Sequence, residues 1–312
     1  MINAVVIVGP TASGKTSLSI ELAKKYGFEI ICADSMQIYS QLSVSTARPT
    51  KDEQSNIPHH LFGSVSVEEE YSVAEYCQNA IRKAKEIDSQ NKRVMFCGGT
   101  GLYIDSLVNG IDFSSTDSDE KVRTRLEEES RLYGTEYLHD KLKSVDPVSA
   151  EKIHPNNVKR VIRALEIFEI CGKPKSVIDI ESRETPSEIN ALYIGVNYKN
   201  RQTLYERVEK RVDLMIENGL IDEVREFYKL NPCKTASAAI GCKEIKPYLD
   251  GEKSLDECVE ELKTATRRYA KRQLTWFCRN DKINWVYPDE QEFDECVEIA
   301  SQLIENFYGG KS

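Results

Sequence analysis

The sequence lacks any long hydrophobic run. Its first apolar stretch, Ala4–Val8, has no basic residues before it and is too short for a secretory signal peptide. A membrane-spanning helix needs roughly 18 or more consecutive apolar residues, and no segment approaches that length. We therefore expect a cytoplasmic protein with no membrane partner.

Paired cysteines are also missing. The nine cysteines are scattered, and no two of them form a C-x-x-C pair. Disulfide frameworks belong to short secreted domains and zinc sites need closely spaced ligands, so both classes are disfavoured. His59–His60 follow a proline and have no glutamate at the spacing of a zinc protease. We interpret the cysteines as reduced thiols and the two histidines as part of a loop.

The composition is that of a globular protein whose charge is unevenly distributed. The chain has 312 residues, of which 40% are hydrophobic, and this length allows about two domains. The formal net charge is −9, from 42 basic and 51 acidic residues, yet residues 263–282 contain seven basic residues and one acid. Nucleic acid stays a candidate partner, because binding depends on where the basic residues lie.

Short strand-like runs alternate with helical patterns. Ser72 and Glu75 have the spacing of a capping box that begins a helix, and a long amphipathic helix is expected from about Thr203 to Lys229, interrupted at Gly219. The strand-like runs are apolar along most of their length, as in parallel strands covered on both faces. They are Ile2–Val8, Phe28–Cys32, Val94–Cys97, Leu192–Val196 and Ile283–Tyr287. The alternation indicates an α/β fold with a doubly wound parallel sheet.

One segment breaks this alternation. From residue 116 to residue 188 no strand is expected, and helical patterns occur at Ser118–Tyr133, Glu136–Val145 and Val158–Cys171. The last of these ends where Gly172 and Pro174 follow, as helices commonly do. We interpret 116–188 as an all-helical domain inserted into an α/β core made of 1–115 and 189–312.

The residues after the first predicted strand form a phosphate-binding motif. They read GPTASGKT, which fits G-x-x-x-x-G-K-[ST] between a strand and a helix, and predict a core like that of the P-loop nucleoside-triphosphate hydrolases. The glycines let backbone N–H groups converge on phosphate oxygens, where Lys15 adds positive charge. The Thr16 hydroxyl is the expected metal ligand and Mg²⁺ the expected cofactor. The phosphate-binding residues are Gly9, Pro10, Thr11, Ala12, Ser13, Gly14, Lys15 and Thr16.

The motif alone does not identify the phosphate compound. A GTPase would carry an Asn-Lys-x-Asp motif, and none occurs. An ATPase generally ends a second apolar strand in an acidic residue, but Val94–Cys97 runs into Gly98–Gly101. The nearest carboxylate is Asp34, at the place where small-molecule kinases keep the group that accepts a substrate proton. A kinase that uses ATP, Mg²⁺ and Asp34 therefore stays open.

Further motifs follow the P-loop in order along the chain. They are DSMQIY at Asp34–Tyr39, TARPT at Thr46–Thr50, GGTGLY at Gly98–Tyr103, His154–Asn156, Arg160 with Arg163–Glu166, and KRQLTW at Lys271–Trp276. Together with GPTASGKT they resemble the transfer-RNA dimethylallyltransferase family in its bacterial form. The resemblance extends from Ile2 to about Trp285, which is nearly the whole chain.

The resemblance implies a transferase. The P-loop would hold the diphosphate of dimethylallyl diphosphate, and the dimethylallyl group would pass to the exocyclic N6 amine of the adenosine 3′ of the tRNA anticodon, with release of diphosphate. Asp34 would accept the amine proton, while Lys15, Thr16 with Mg²⁺ and Arg211 would stabilise the leaving group. Thr100 and Arg123 match family positions near the target nucleotide.

The resemblance also implies residues that contact tRNA. Enzymes that modify a base extrude it from its stack, and the flipped adenine would meet Asp34, Ser35, Met36 and Gln37. Other contacts with the anticodon stem-loop would come from Lys159, Arg160, Val161, Ile162 and Arg163, and from Ala238, Ala239, Ile240, Gly241, Cys242 and Lys243. The family commonly has a tyrosine at the position of Cys242, so this chain lacks a ring that could stack on a base.

Other functions stay open on the sequence alone. A P-loop kinase explains the P-loop and Asp34 but not the helical insertion or the basic residues 263–282. A prenyltransferase for free AMP or ADP shares the core chemistry and leaves the same basic residues unexplained. A non-catalytic RNA-binding module needs neither the P-loop nor Asp34. Without the family resemblance, Arg211 would be an exposed charge paired within its own helix. A monomer is the expected state.

Overall fold

The chain forms two compact units. The computed structural model describes residues 1–111, 119–182 and 186–310. Met1–Val108 with Glu188–Ser312 is called the sheet unit below, and Asn109–Ser187 the helical unit. The domain boundary expected between residues 115 and 116 lies outside the described residues. The one expected between 188 and 189 lies one residue from the observed division.

A parallel sheet forms the centre of the sheet unit. Its strands are β1 Ile2–Val8, β2 Phe28–Cys32, β3 His59–His60, β4 Arg93–Gly98, β5 Ile189–Val196 and β6 Asn284–Val286. They lie in the order β3-β2-β4-β1-β5-β6, and Val6 of β1 is aligned with Phe96 on one side and Tyr193 on the other. The five predicted strands and the P-loop α/β class are confirmed.

The strand β3 shows that the prediction of a loop at His59–His60 was wrong. The two histidines pair with Ile30 and Ile31 of β2 in parallel. A strand of two polar residues carries no apolar run or alternation, which are the signals that predict strands. Backbone pairing at the edge of the sheet forms it instead.

The helices begin and end largely where local signals predict. Within the described residues they are α1 Lys15–Tyr26, α2 Val73–Ser89, α3 Gly101–Val108, α4 Glu120–Tyr133, α5 Thr135–Val145, α6 Pro147–Lys152, α7 Val158–Cys171, α8 Lys175–Glu181, α9 Arg201–Glu217, α10 Leu220–Phe227, α11 Cys242–Leu249, α12 Leu255–Phe277 and α13 Phe293–Gly309. Both hydrogen bonds of the predicted capping box between Ser72 and Glu75 are present. Gly219, with φ of 92°, separates α9 from α10. None of these helices is long and apolar enough to cross a membrane.

The helical unit has its own apolar core. Leu126 of α4, Leu138 and Leu142 of α5, and Val161 and Leu165 of α7 are buried against one another. These side chains recur at helical spacing, so each helix buries one face. Between residues 119 and 182 the structure contains no strand.

A buried carboxylate joins α4 to α7 in the helical unit. Glu166 is fully buried and accepts hydrogen bonds from the Asp119 N–H at 3.1 Å, from Arg123 Nη2 at 3.0 Å and from Arg163 Nη1 at 2.8 Å. A buried charge is tolerated when it is paired and hydrogen-bonded in this way. The guanidinium groups of Arg123 and Arg163 therefore have a structural role within this unit.

Replacing Glu166 with alanine should destabilise the helical unit by about 1–3 kcal/mol. The change removes the acceptor of two arginines and one backbone N–H, but the arginine side chains are 39% and 34% exposed and can regain water. Amide hydrogen exchange in α4 and α7 would measure the change. Glu181→Ala breaks only an exposed ion pair with Lys173 and should cost less than about 0.5 kcal/mol. Equal effects of the two substitutions would contradict the role given to Glu166.

Candidate active site

The predicted phosphate-binding residues form a tight loop between β1 and α1. Gly9 has φ of 146°, and a Cβ atom there would lie 2.2 Å from the carbonyl oxygen of Val196. Only glycine fits such a close backbone approach. Gly14, with φ of 96°, is the N-cap of α1. The loop thereby brings backbone N–H groups to a helix N-terminus, which is a favourable site for an anion.

The Lys15 side chain folds back over this loop. Its Nζ donates a hydrogen bond of 2.6 Å to the carbonyl oxygen of Pro10. Burial lowers the pKa of Lys15 to about 8; Cys97 and Asp34 favour the charged form, and Arg211 disfavours it. A bound polyanion would stabilise the charged form of this lysine.

Asp34 lies where β2 ends, against the end of β4. A Cβ atom on Gly98 would lie 2.1 Å from the carbonyl oxygen of Ala33, so glycine is required for the two chains to come this close. The Oδ1 atom of Asp34 accepts hydrogen bonds from the N–H groups of Met36 at 3.0 Å and Gln37 at 3.4 Å. The carboxylate is therefore fixed by its own turn.

Thr100 is held against the residue that follows Asp34. Its N–H donates to the carbonyl oxygen of Ala33 at 3.1 Å, and its Oγ1 accepts from the Ser35 N–H at 2.9 Å. The phenol of Tyr269, on α12, lies close to both Thr100 and Asp34; burial and the charge of Asp34 raise its pKa. The loop after β4 and the turn after β2 thus form one hydrogen-bonded surface.

Arg211 extends from α9 toward the same place. Its Nη2 donates to the carbonyl oxygen of Thr46 at 2.9 Å, and its Nε is buried with no hydrogen bond in the described chain. Burial lowers the pKa of Arg211, and the charge of Asp34 opposes this by favouring the charged form. Asp213 pairs instead with Lys263. The alternative interpretation of Arg211, an exposed charge paired within its own helix, is therefore wrong.

Lys15, Asp34 and Arg211 meet in one cavity of about 40 Å³ in the sheet unit, which Thr100 does not line. Lys15, Thr16 and Arg211 line it together with Asp34 and Gln37. It lies beyond the carboxyl ends of the central strands, where the connections diverge to opposite sides of the sheet, and α/β proteins bind ligands at such points. Two cationic side chains and one carboxylate therefore share a small space.

Gln273 also lines this cavity and was not predicted as a site residue. Its Oε1 accepts from the Thr11 N–H at 2.8 Å, and its Nε2 donates to the carbonyl oxygen of Gly99 at 2.9 Å. The amide therefore joins the P-loop to the loop that contains Thr100. Gln273 lies within the KRQLTW motif, so a signal was present, although its partners could not be read from the sequence.

Several other cavity residues were not predicted either. His59 of β3, Phe62 and Cys97 line the cavity, and the rings of His59 and Phe62 are 5.4 Å apart. The Nδ1 of His59 lies 2.7 Å from the carbonyl oxygen of Ile57, and burial lowers the pKa of this histidine. These residues add apolar surface and a neutral ring beside the charged groups. Nothing in the sequence distinguished them from ordinary loop and strand residues.

A larger cavity, of about 770 Å³, has a different character. Its lining includes Gly14 and Ser17 beside the P-loop, and Arg207 and Lys210 on α9. Five carboxylates outnumber those two cations, namely Glu206, Asp289, Glu290, Glu292 and Glu295. Negative charge repels phosphate, so the smaller cavity is the better candidate for phosphate chemistry.

The segment 159–163 lies on α7 of the helical unit. Lys159 and Arg160 are exposed, whereas Val161 and Ile162 are buried in the core of the unit. These two apolar side chains pack against the neighbouring helices, and the predicted contact of the segment 159–163 with tRNA stays a prediction. Arg163 is bound to Glu166 as described above.

The segment 238–243 leads into α11 in the sheet unit. Ala238 and Lys243 are exposed and Ile240 is half-buried, while Ala239 and Gly241 are buried. Cys242 is fully buried among apolar residues, and burial raises the pKa of its thiol to about 12. The Cys242 side chain therefore points into the core, and the effect of losing an aromatic ring here on RNA binding stays a prediction.

Comparisons with known proteins show which family this chain belongs to. A family model described as IPP transferase matches residues 37–281, well over half of the chain. A tRNA dimethylallyltransferase from Acetivibrio thermocellus is 50% identical over 299 residues, covering 95% of each chain. One from Caldanaerobacter subterraneus is 46% identical over 312 residues, covering 99% of this chain and 98% of its own. These relatives include the P-loop, which precedes the residues matched by the family model.

Solved structures extend the similarity to the fold. The tRNA isopentenylpyrophosphate transferase of Bacillus halodurans is 38% identical with a TM-score of 0.74, covering 100% of this chain and 98% of its own. A eukaryotic dimethylallyltransferase acting on tRNA is 29% identical with a TM-score of 0.83, covering 98% of this chain and 80% of its own. The sequence matches to the two bacterial relatives cover nearly the full length of this chain and of each relative. The chain therefore belongs to the tRNA dimethylallyltransferase family.

Proposed function

We propose that this chain transfers the dimethylallyl group of dimethylallyl diphosphate to the N6 amine of the adenosine 3′ of the tRNA anticodon, and releases diphosphate. The observation that carries the proposal is the cavity in which Lys15 and Arg211 lie beside Asp34. A prenyl transfer needs cations for a leaving diphosphate and a base for a departing proton, and both are present within one small space.

The diphosphate binds at the P-loop. Backbone N–H groups at the start of α1 and the Lys15 ammonium bind its oxygens, and Arg211 binds from α9. As the bond from the prenyl carbon to oxygen breaks, negative charge grows on the leaving oxygen. Groups already fixed around that position stabilise the growing charge without having to reorganise.

The residues present fit a magnesium ion held largely by the substrate. Thr16 offers a hydroxyl oxygen in the cavity, and the described residues contain no cluster of three or more carboxylate, histidine or cysteine ligands. Magnesium commonly keeps several waters and binds through few protein oxygens together with substrate phosphates. Bound there, Mg²⁺ would neutralise charge on the diphosphate.

Asp34 accepts the proton. The adenine N6 nitrogen forms a bond to the prenyl carbon, the bond to diphosphate breaks, and the amine loses one proton to the carboxylate. The Oδ1 atom is bound by the N–H groups of Met36 and Gln37, which leaves Oδ2 to receive the proton. The fixed turn holds the base in place before the substrate arrives.

The acceptor reaches this cavity as an extruded base. Adenine inside a stacked anticodon loop cannot approach a group that lies at the end of a sheet, so the nucleotide must flip out. The amide of Gln37 is the group best suited to pair with the adenine edge, because it can both donate and accept. Exposed cations such as Lys159, Arg160 and Lys243 would bind the RNA backbone. We further propose a cytoplasmic monomer.

Turnover should release diphosphate and attach a five-carbon group to adenosine without any ATP. The assay supplies dimethylallyl diphosphate, Mg²⁺ and unmodified tRNA, and mass analysis of the nucleosides detects the product. Free AMP in place of tRNA is the control for an adenine prenyltransferase. Dependence on ATP with ADP as product would identify a kinase instead.

Asp34→Asn should slow the transfer step without disturbing the fold or weakening donor binding. Asparagine has nearly the same volume but cannot accept the amine proton. A positioned base typically contributes 10²–10⁴-fold, or ~3–5.5 kcal/mol of the barrier. Single-turnover transfer at saturating tRNA and donor measures the loss. The matched change Asp213→Asn removes another carboxylate charge from the sheet unit, in the ion pair of α9 with Lys263, and should leave the rate within about twofold. Normal transfer by Asp34→Asn would mean that another group accepts the proton.

Neutralising Lys159 and Arg160 should weaken tRNA binding and flatten its dependence on salt. Each lost phosphate contact removes about 0.7–0.9 from the slope of log affinity against log salt concentration. Both residues are exposed, so the double change to glutamine should not disturb the helical core. The control is the double change of Lys173 and Lys175, two cations of the same unit held in ion pairs. A slope unchanged by the first pair would remove α7 from the tRNA-binding surface.

A further inference from the structure

We propose that Glu223 is a positioning residue that sets the orientation of both Arg211 and Gln37, a role that rests on the proposed function of those two side chains. Glu223 lies in the first turn of α10 and does not line the cavity. It acts through one short segment of backbone, residues 43–46. Its effect therefore reaches the donor side and the acceptor side of the active site together.

The carboxylate of Glu223 accepts four hydrogen bonds from this segment. Its Oε2 accepts from the Ser43 N–H at 2.8 Å, the Ser43 Oγ at 2.9 Å and the Val44 N–H at 2.7 Å. Its Oε1 accepts from the Ser45 N–H at 2.8 Å. Three consecutive backbone N–H groups converge on one anion, an arrangement that generally binds phosphates or carboxylates. Here a carboxylate of the chain itself fixes the segment.

The next residue in the segment carries the effect to the site. The carbonyl oxygen of Thr46 accepts from Gln37 Nε2 at 3.0 Å and from Arg211 Nη2 at 2.9 Å. Gln37 and Arg211 both line the cavity that holds Asp34. One carbonyl group therefore sets the direction of an amide proposed to meet adenine and of a guanidinium proposed to meet diphosphate.

The turn around Thr46 leaves this carbonyl little freedom. Ala47 has φ of 42°, in the left-handed region, and its N–H donates to the carbonyl oxygen of Val44 at 2.9 Å. The Arg48 N–H donates to the carbonyl oxygen of Ser43, also at 2.9 Å. A non-glycine residue keeps a left-handed conformation only when the surrounding contacts hold it there. Glu223 supplies those contacts on one side of the turn.

Glu223→Gln tests the role with almost no change in volume. The amide keeps one acceptor oxygen, but its NH₂ group would face the N–H donors of the segment. At least one hydrogen bond is therefore lost, and one backbone N–H would point at another donor. The segment 43–46 should shift, and Arg211 should no longer be held in the diphosphate-binding orientation. Binding of inorganic diphosphate with Mg²⁺, measured by calorimetry, should weaken about tenfold.

The same substitution in an Arg211→Ala background makes the test specific. If Glu223 acts on the donor through Arg211, its change should alter diphosphate affinity by less than about twofold once the arginine is absent. If Glu223 has a purely structural role, Glu223→Gln should weaken diphosphate binding equally with and without Arg211, and that result would overturn the proposal. Unchanged diphosphate affinity when Arg211 is present would overturn it as well. Glu226→Gln, on the exposed face of α10, is the matched control and should stay within about twofold of the parent.

Two further measurements complete the design. The turnover number at saturating donor should also fall in Glu223→Gln, because Gln37 depends on the same carbonyl; an unchanged value would contradict the acceptor half of the proposal. If Glu223→Gln does not fold, Ser43→Ala is the substitute, because it removes one of the four donors to Glu223. It should weaken diphosphate binding about twofold to threefold when Arg211 is present, and should have less effect in the Arg211→Ala background. If the parent protein binds diphosphate but transfers no dimethylallyl group, the proposed function is wrong. The dependence of the Glu223→Gln effect on Arg211, measured by diphosphate binding, still decides the role of Glu223.

Discussion

Lys15 and Arg211 are held close to each other beside a single carboxylate, and the site depends on that electrostatic arrangement. The charge of Arg211 and burial both favour the neutral form of Lys15, and Asp34 favours the charged form. Like charges that approach without a ligand cost free energy, and a bound polyanion removes that cost. The fold therefore stores positive potential beside the P-loop. Asp34 reduces this potential and is the one carboxylate among the described residues that line the cavity.

Close backbone contacts make this arrangement possible. The glycines after β4 admit side chains from α12 at very short range: a Cβ atom on Gly99 would lie 2.2 Å from Gln273, and one on Gly101 would lie 2.3 Å from Trp276. The Trp276 Nε1 then donates to Asp105 on α3 at 2.7 Å. The motifs GGTGLY and KRQLTW are thus two sides of one contact. A larger side chain at Gly101 would clash with the Trp276 ring, and one at Gly99 would displace the Gln273 amide that joins the P-loop to the loop containing Thr100.

The sequence predicted the parts of the site that chemistry marks locally. A P-loop has its residues in one continuous segment, and Asp34 follows an apolar strand, so both are visible along the chain. The family resemblance added Thr100 and Arg211. The edge strand β3 and the contacts of Gln273 and Glu223 were not predictable, because each depends on pairing between residues far apart in the sequence. Glu223 is 180 residues from Ser43, and no local periodicity indicates such a contact.

Burial separates the residues of the predicted RNA-contact segments that face the core from those that face solvent. A family motif on a helix includes residues that face the core as well as residues that face a ligand, and Val161 and Ile162 are of the first kind. Arg123 shows that the two roles can coexist. Its described hydrogen bonds to Glu166 use Nη2 alone, and a guanidinium has donors on three nitrogens. An arginine anchored in this way has lost part of its side-chain freedom already, so ordering it against a phosphate costs less entropy than ordering a free side chain.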